Sequence, residues 1–214
     1  MKASSSGAFV GVAEHGNAAV LVTLGPGGKL LDRRRITLTE GLPTHPYHHE
    51  GAWAVGRYVN SPWAKPVTLP EAIRLIQRVH AAAEAGAHAG LAALAAAVTT
   101  PIAGLALRVC PPLPDSIEAR IADNRAQTQA DSVMYRQALA AAAEARGWSV
   151  HWYEPERVFE RAAAALGQAD IAVFLRSMGR DAGPPWQAKH KLAAAAAIAA
   201  STETLERSPR EAPR

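Results

Sequence analysis

The first 38 residues set the strongest limit on how this chain can fold. Gly7 to Glu14 (GAFVGVAE) and Ala18 to Leu24 (AAVLVTL) are apolar runs separated by His15-Gly16-Asn17, the residue types of a hairpin turn. Gly25-Pro26-Gly27-Gly28 then leads into a third strand, Lys29 to Leu38. Strands joined by connections this short lie side by side and antiparallel. Glu14 closes the first of them, so a carboxylate stands at one rim of the sheet.

After these strands the pattern changes. Thr39 to Val67 is rich in proline, glycine and aromatic residues without a sustained period, and is expected to be a long inserted loop with short elements of its own. Thr68-Leu69-Pro70-Glu71 is a capping box with proline in the first turn. Ile73, Ile76, Ala83, Ala87, Leu91, Leu94 and Val98 recur at helical spacing behind it, which predicts a helix to about Val98, with Gly86 and Gly90 as places of weakness or close packing. Ile102 to Val109 reads as a fourth strand ended by Pro111, Pro112 and Pro114. Ser116 to Arg146 is helical with an interruption near Asp123-Asn124, and Trp148 to Tyr153 is a fifth strand. Pro155 opens a helix to about Gly167, Asp170 to Ser177 is a short helix or strand, and a last alanine-rich helix runs to about Ala200. Strands alternating with helices are parallel neighbours joined by right-handed crossovers.

At 214 residues and 49% hydrophobic content the chain can build one sizeable core without disulfides. The expected organisation is a single domain over 1–205 with the insertion at 39–67, followed by a disordered tail over 206–214. The single cysteine, Cys110, excludes an internal disulfide and a multi-cysteine zinc site and fits a reducing compartment. No signal-peptide run opens the chain, and no stretch reaches the roughly 20 apolar residues needed to span a bilayer. A cytoplasmic protein with no membrane contact is expected. The net charge of +4 permits an anionic partner without requiring one.

The order of elements, together with Gly11-Val12-Ala13-Glu14, Leu105-Ala106-Leu107-Arg108-Val109 and His190-Lys191-Leu192-Ala193-Ala194-Ala195, resembles the ribonuclease H-like superfamily and its RuvC-like resolvase branch, of bacterial type. The resemblance implies an α/β fold: a five-stranded mixed sheet, three antiparallel hairpin strands then parallel ones, with helices on both faces. It further implies DNA or RNA as partner and, in a catalytic member, phosphodiester hydrolysis with Mg2+ or Mn2+. In that family one acid ends the first strand, another lies on or just after the fourth, and more sit on the last helix. Hard divalent cations require such oxygen ligands beside the charge of the transition state. Carried onto this chain, the catalytic set is Glu14, His190 and Asp123, and the metal set is Glu14, His190, Asp115 and Glu118. The chain departs from the pattern by placing Arg108 and Cys110 where the fourth strand should supply an acid, and Ala193 three residues after His190.

The candidate nucleic-acid contacts are Arg33, Arg34, Arg35, Arg108, Asn124, Arg125, Lys189 and Lys191. The three consecutive arginines alternate across a strand and cannot share one face; on an edge strand they serve phosphate contact or protection against edge pairing. His45, His48, His49 and Glu50 read as metal ligands or as a polar loop, and His80, Glu84 and His88 as one flank of the long helix. Tyr47, Trp53, Tyr58 and Trp63 either stack on bases or anchor the loop. The leading functional reading is a nucleic-acid-binding protein, as a divergent metal-dependent nuclease or resolvase. The alternatives are an inactive scaffold of the same fold, meeting a protein partner or its own copy, and nucleotide or small-molecule phosphotransfer.

Overall fold

The computed structural model describes residues 7–206. The tail expected at 206–214 lies, from residue 207 onward, outside the described residues. Strands β1 (Ala8–His15), β2 (Ala18–Leu24), β3 (Leu30–Thr37), β4 (Ile102–Arg108) and β5 (Ser149–Tyr153) form one sheet in the order β3-β2-β1-β4-β5. β1 and β2, and β2 and β3, pair antiparallel, while β1 with β4 and β4 with β5 are parallel. This is the expected five-stranded mixed sheet, three antiparallel strands followed by parallel ones, with helices on both faces. β1 is central and covered on both faces, hence its nearly unbroken apolar sequence. β3 lies at the edge, where charged residues discourage pairing with another chain.

The helices are α1 (Ala52–Ala54), α2 (Leu69–Ala97), α3 (Ile117–Ala122), α4 (Asn124–Glu144), α5 (Val158–Leu166), α6 (Ile171–Ala182) and α7 (Ala188–Glu206). The expected helix over Ser116 to Arg146 is two helices, because the Asp123 backbone is extended and its carboxylate caps α4 by accepting from Ala126 N–H at 2.8 Å. Asp170 to Ser177, read as helix or strand, falls in α6, which Asp170 caps by accepting from Ala172 N–H at 2.8 Å. The box before α2 is present, with Thr68 N–H donating to Glu71 Oε2 at 2.8 Å.

Strand alternation divides the core. Val10, Val12, Leu105 and Leu107 join α2 and α4 on one face, while Phe9, Ala13, Ala106 and Tyr153 join α5, α6 and α7 on the other. The alanine run of α7, Ala193 to Ala197, is wholly buried, since this helix lies against β1 on one side and α5 on the other and larger side chains would hold it away. Gly11 completes that approach: a Cβ there would overlap the Ala193 carbonyl. Gly86 serves α2 in the same way, against the backbone of Leu38. The two glycines of α2 are therefore places of close packing.

Between β1 and β4 the paired register runs only from Ala8 to Gly11 on β1. Beyond it β1 continues with β2 to His15, and β4 continues with β5 to Arg108. The sheet opens into a fork at the carboxyl ends of its two central strands, where successive connections depart in opposite directions. In open α/β sheets such a switch point is the usual place for a ligand crevice.

Gly11→Ala is expected to destabilise the fold by about 3 kcal/mol or more, since the methyl group meets helix backbone that cannot rotate away. Urea unfolding checks this: the midpoint should fall steeply, whereas an unchanged midpoint would mean that α7 is not seated on β1 as described.

Candidate functional site

Two side chains from the second half of the chain reach back to the first strand and fill the fork. Tyr153, at the end of β5, donates its hydroxyl to the Val12 carbonyl at 2.8 Å. Arg136, from the middle of α4, donates through Nε to Glu14 Oε1 at 2.5 Å and through Nη1 to the Val109 carbonyl at 3.0 Å. Both members of the Glu14–Arg136 pair are more than nine-tenths buried. Burial, followed by the charge of Glu14, pushes the Tyr153 phenol up, so that it stays a neutral donor. The carboxylate that closes β1 is thus matched to a guanidinium at the place where the resemblance calls for a metal.

Three basic residues stand around this pair. Lys189, in the first turn of α7, is held below the ordinary lysine range by desolvation; the field of Glu14 opposes that shift and Arg35 reinforces it. Arg35 is exposed on β3, on the α7 side of the sheet. Arg108 is exposed at the end of β4 and lines a cleft of about 410 Å³ with Arg136. Cys110 borders the same cleft, and burial pushes its thiol up, with Arg136 opposing.

The other expected site residues are dispersed. His190 is 8% exposed and committed to its own neighbours: its Nδ1 accepts from Gln187 N–H at 3.2 Å, its ring stacks on Trp186 at 5.7 Å, and burial and Arg33 lower its pKa. It closes the start of α7, and the neighbouring lysine is the residue that senses Glu14. Asp115, Glu118 and Asp123 are all exposed, Asp123 being the α4 cap. Among the described residues no group of three His, Cys, Asp or Glu side chains could hold a metal ion. The metal set Glu14, His190, Asp115 and Glu118 is not brought together, and the catalytic set Glu14, His190 and Asp123 likewise stays apart. The donor set present does not fit a two-metal centre.

Of the basic candidates, Arg33 is committed to the fold, its guanidinium donating to the carbonyls of Gly183 and Pro185 at 2.7 Å each. Arg34, on the opposite face of β3, makes a two-pronged pair with Asp32 at 2.7 and 2.6 Å. Asn124 and Arg125 are exposed in the first turn of α4, and Lys191 is partly exposed on α7.

The inserted loop has an internal organiser that its sequence conceals. Its residues Tyr47–Gly51 form a π-helical turn leading into α1. Asp131 of α4, 4% exposed, accepts from the N–H groups of Tyr47 at 3.0 Å and His48 at 3.1 Å. Desolvation outweighs these bonds and lifts its carboxyl to about 7. His45 and His48 are pushed down, first by burial and then by neighbouring imidazoles. Tyr47 and Trp53 are buried anchors, whereas Tyr58 and Trp63 are 49% and 63% exposed. His80 and Glu84 form the expected flank pair on α2 at 3.6 Å.

The signal for Asp131 and Arg136 lies in α4. Gln127, Asp131 and Tyr135 recur every four residues on a face that also carries Ala130, Met134 and Ala138, and all are buried. Polar residues at core spacing call for partners, which Asp131 and Tyr135 find across the fold while the Gln127 amide makes no hydrogen bond.

No protein-family model matches the chain, and no curated protein matches its sequence. Among solved structures, Thermus thermophilus RuvC in complex with a Holliday junction substrate is 14% identical over 92% of this chain and 95% of that one, with a TM-score of 0.49. Another Thermus thermophilus RuvC structure is 15% identical over 93% and 96%, with a TM-score of 0.48. Among the described residues no helix is long and apolar enough to cross a membrane.

Arg136→Met is expected to cost about 3 to 5 kcal/mol, because it leaves the Glu14 carboxylate buried without a counter-charge. The double variant Glu14→Gln, Arg136→Met should recover most of that loss in a double-mutant cycle by urea unfolding. A second test concerns Asp131, whose raised pKa means that the folded chain keeps a proton the unfolded chain releases between about pH 4 and about pH 7. Its contribution to stability is therefore full below about pH 4 and is lost as pH rises through about 7. Asp131→Asn removes the titrating group, so its urea midpoint should stay level between about pH 4 and about pH 8 while that of the wild type falls, although the amide nitrogen cannot accept and one of the two backbone bonds is lost at every pH. A wild type as level as the variant over that range would show that the two backbone bonds outweigh desolvation.

Proposed function

We propose that this chain binds nucleic acid through the phosphate backbone, at the basic rim formed by Arg35, Arg108, Arg136 and Lys189, and that it does so without two-metal hydrolysis. The observation that carries the reading is the Glu14–Arg136 pair. A carboxylate that could hold a cation is instead neutralised by a buried guanidinium, and Lys189, Arg35 and Arg108 stand around it with Glu156 as the one acid among the cleft residues. Backbone phosphates are recognised by such arginine and lysine side chains, and their contacts position a nucleic acid without reading its sequence.

A scaffold role for the same fold has one observation in its favour: Tyr58, Val59 and Trp63 leave apolar surface exposed on the inserted loop. The two readings separate on salt.

Fluorescence anisotropy with duplex DNA, branched DNA and single-stranded RNA should give affinities that fall linearly in log-log form with salt. Lys189→Ala and Arg35→Ala should each reduce the slope by about one. Salt-independent or absent binding favours the scaffold. Cleavage in Mg2+ or Mn2+ that disappears in Glu14→Ala would overturn the non-hydrolytic part of the reading.

A further inference from the structure

The cleft beside the rim has a more specific fit than a passing backbone. We infer that it is a seat for the terminal phosphomonoester of a nucleic-acid strand, an inference that rests on the nucleic-acid reading of the rim. The cleft lies outside the carboxyl ends of β4 and β5, with α4 on one side and the segment that follows β5 on another. Its lining includes Arg108, Cys110, Gln129, Ser132, Arg136 and Glu156.

The donors and their fixation suit a phosphate. Arg136 is held by Glu14 and the Val109 carbonyl through Nε and Nη1 and is hydrogen-bonded to the Cys110 thiol, so its guanidinium is positioned before any ligand arrives at the cleft that both residues line. Ser132 is one helical turn before Arg136, and its exposed hydroxyl lies on the same stripe of α4. The Thr128 hydroxyl, by contrast, is turned back to the Arg125 carbonyl at 2.8 Å, which leaves Gln129 as the amide donor of the preceding turn. Arg108 supplies an exposed charge at the strand end.

Charge and shape distinguish a strand end from a continuous backbone. A terminal monoester carries about −1.5 to −2 near neutrality and three acceptor oxygens, for which the cleft offers the unpaired charge of Arg108 and the hydroxyl and amide donors of α4, the charge of Arg136 being matched by Glu14; a diester carries a single charge. A volume of about 410 Å³ is that of a small-molecule site. It admits one nucleotide but not a duplex, which would pass across the rim. Glu156 repels a phosphate and can accept from a sugar hydroxyl or a base amine, so the nucleotide enters phosphate first toward α4.

The test uses one single-strand sequence in three forms, carrying a 5′-phosphate, a 3′-phosphate or hydroxyls at both ends, bound to the full chain. One phosphorylated form should bind about tenfold more tightly than the hydroxyl form, and that ratio should collapse toward one in Arg108→Gln. The same form alone should slow alkylation of Cys110, the single cysteine, a readout in wild-type protein that does not depend on any variant folding. Equal affinity for all three strands with no protection of Cys110 overturns the end seat and leaves the nucleic-acid reading standing. No binding of any strand overturns both.

Discussion

The buried contact between Glu14 and Arg136 joins the three levels on which this molecule is organised. At the level of the sheet it fills the fork where β1 and β4 stop pairing, together with the Tyr153 hydroxyl on the Val12 carbonyl. At the level of packing it ties the middle of α4 to the rim, and through the Val109 carbonyl it fixes the chain that leaves β4. At the level of electrostatics it cancels the acid that ends the central strand, so that Arg35, Arg108 and Lys189 set the sign of the surface. A buried ion pair costs desolvation on both sides, and its loss on one side alone costs more. The pair is therefore a constraint that keeps the rim in one arrangement.

The second constraint is steric. α7 reaches the sheet because Gly11 presents no side chain and the facing helix surface is alanine. This approach fixes the rotation of the helix, and one residue of rotation separates Lys189, which senses Glu14, from His190, which turns to Trp186 and the Gln187 amide. Arg33 sets where the helix begins by holding the carbonyls of 182–185. The arginines of β3 are thereby divided: Arg33 supports the fold, Arg34 serves the neighbouring Asp32, and Arg35 remains at the surface beside Lys189.

Much of the architecture was legible from local chemistry. The turn residues around Gly16 and Gly27, the box at Thr68 and Glu71, and the alternating apolar strands each act over a few residues, and each produced the element expected of it. The break at Asp123 and the helical character of 171–182 were only partly readable, because a cap and a short apolar run are consistent with more than one outcome. The site was far less legible. Reading the last helix by resemblance selected His190, since a histidine is a chemically plausible ligand, but nothing in a sequence gives the rotation of a helix against a sheet. Asp131 and Arg136 were visible as polar residues of one helix, without any sign that one would organise the inserted loop and the other would neutralise Glu14.

What the sequence determined by itself was the order, type and approximate limits of the elements, and so the sheet with its acid at the end of the first strand. Hydrophobic period, turn residues and caps are properties of neighbours in the chain. Only the tertiary structure decided which charges meet, since Glu14 and Arg136 are 122 residues apart and their contact depends on how α4 packs over the fork. That packing turned an apparent metal ligand into one half of an ion pair and left a basic rim around it.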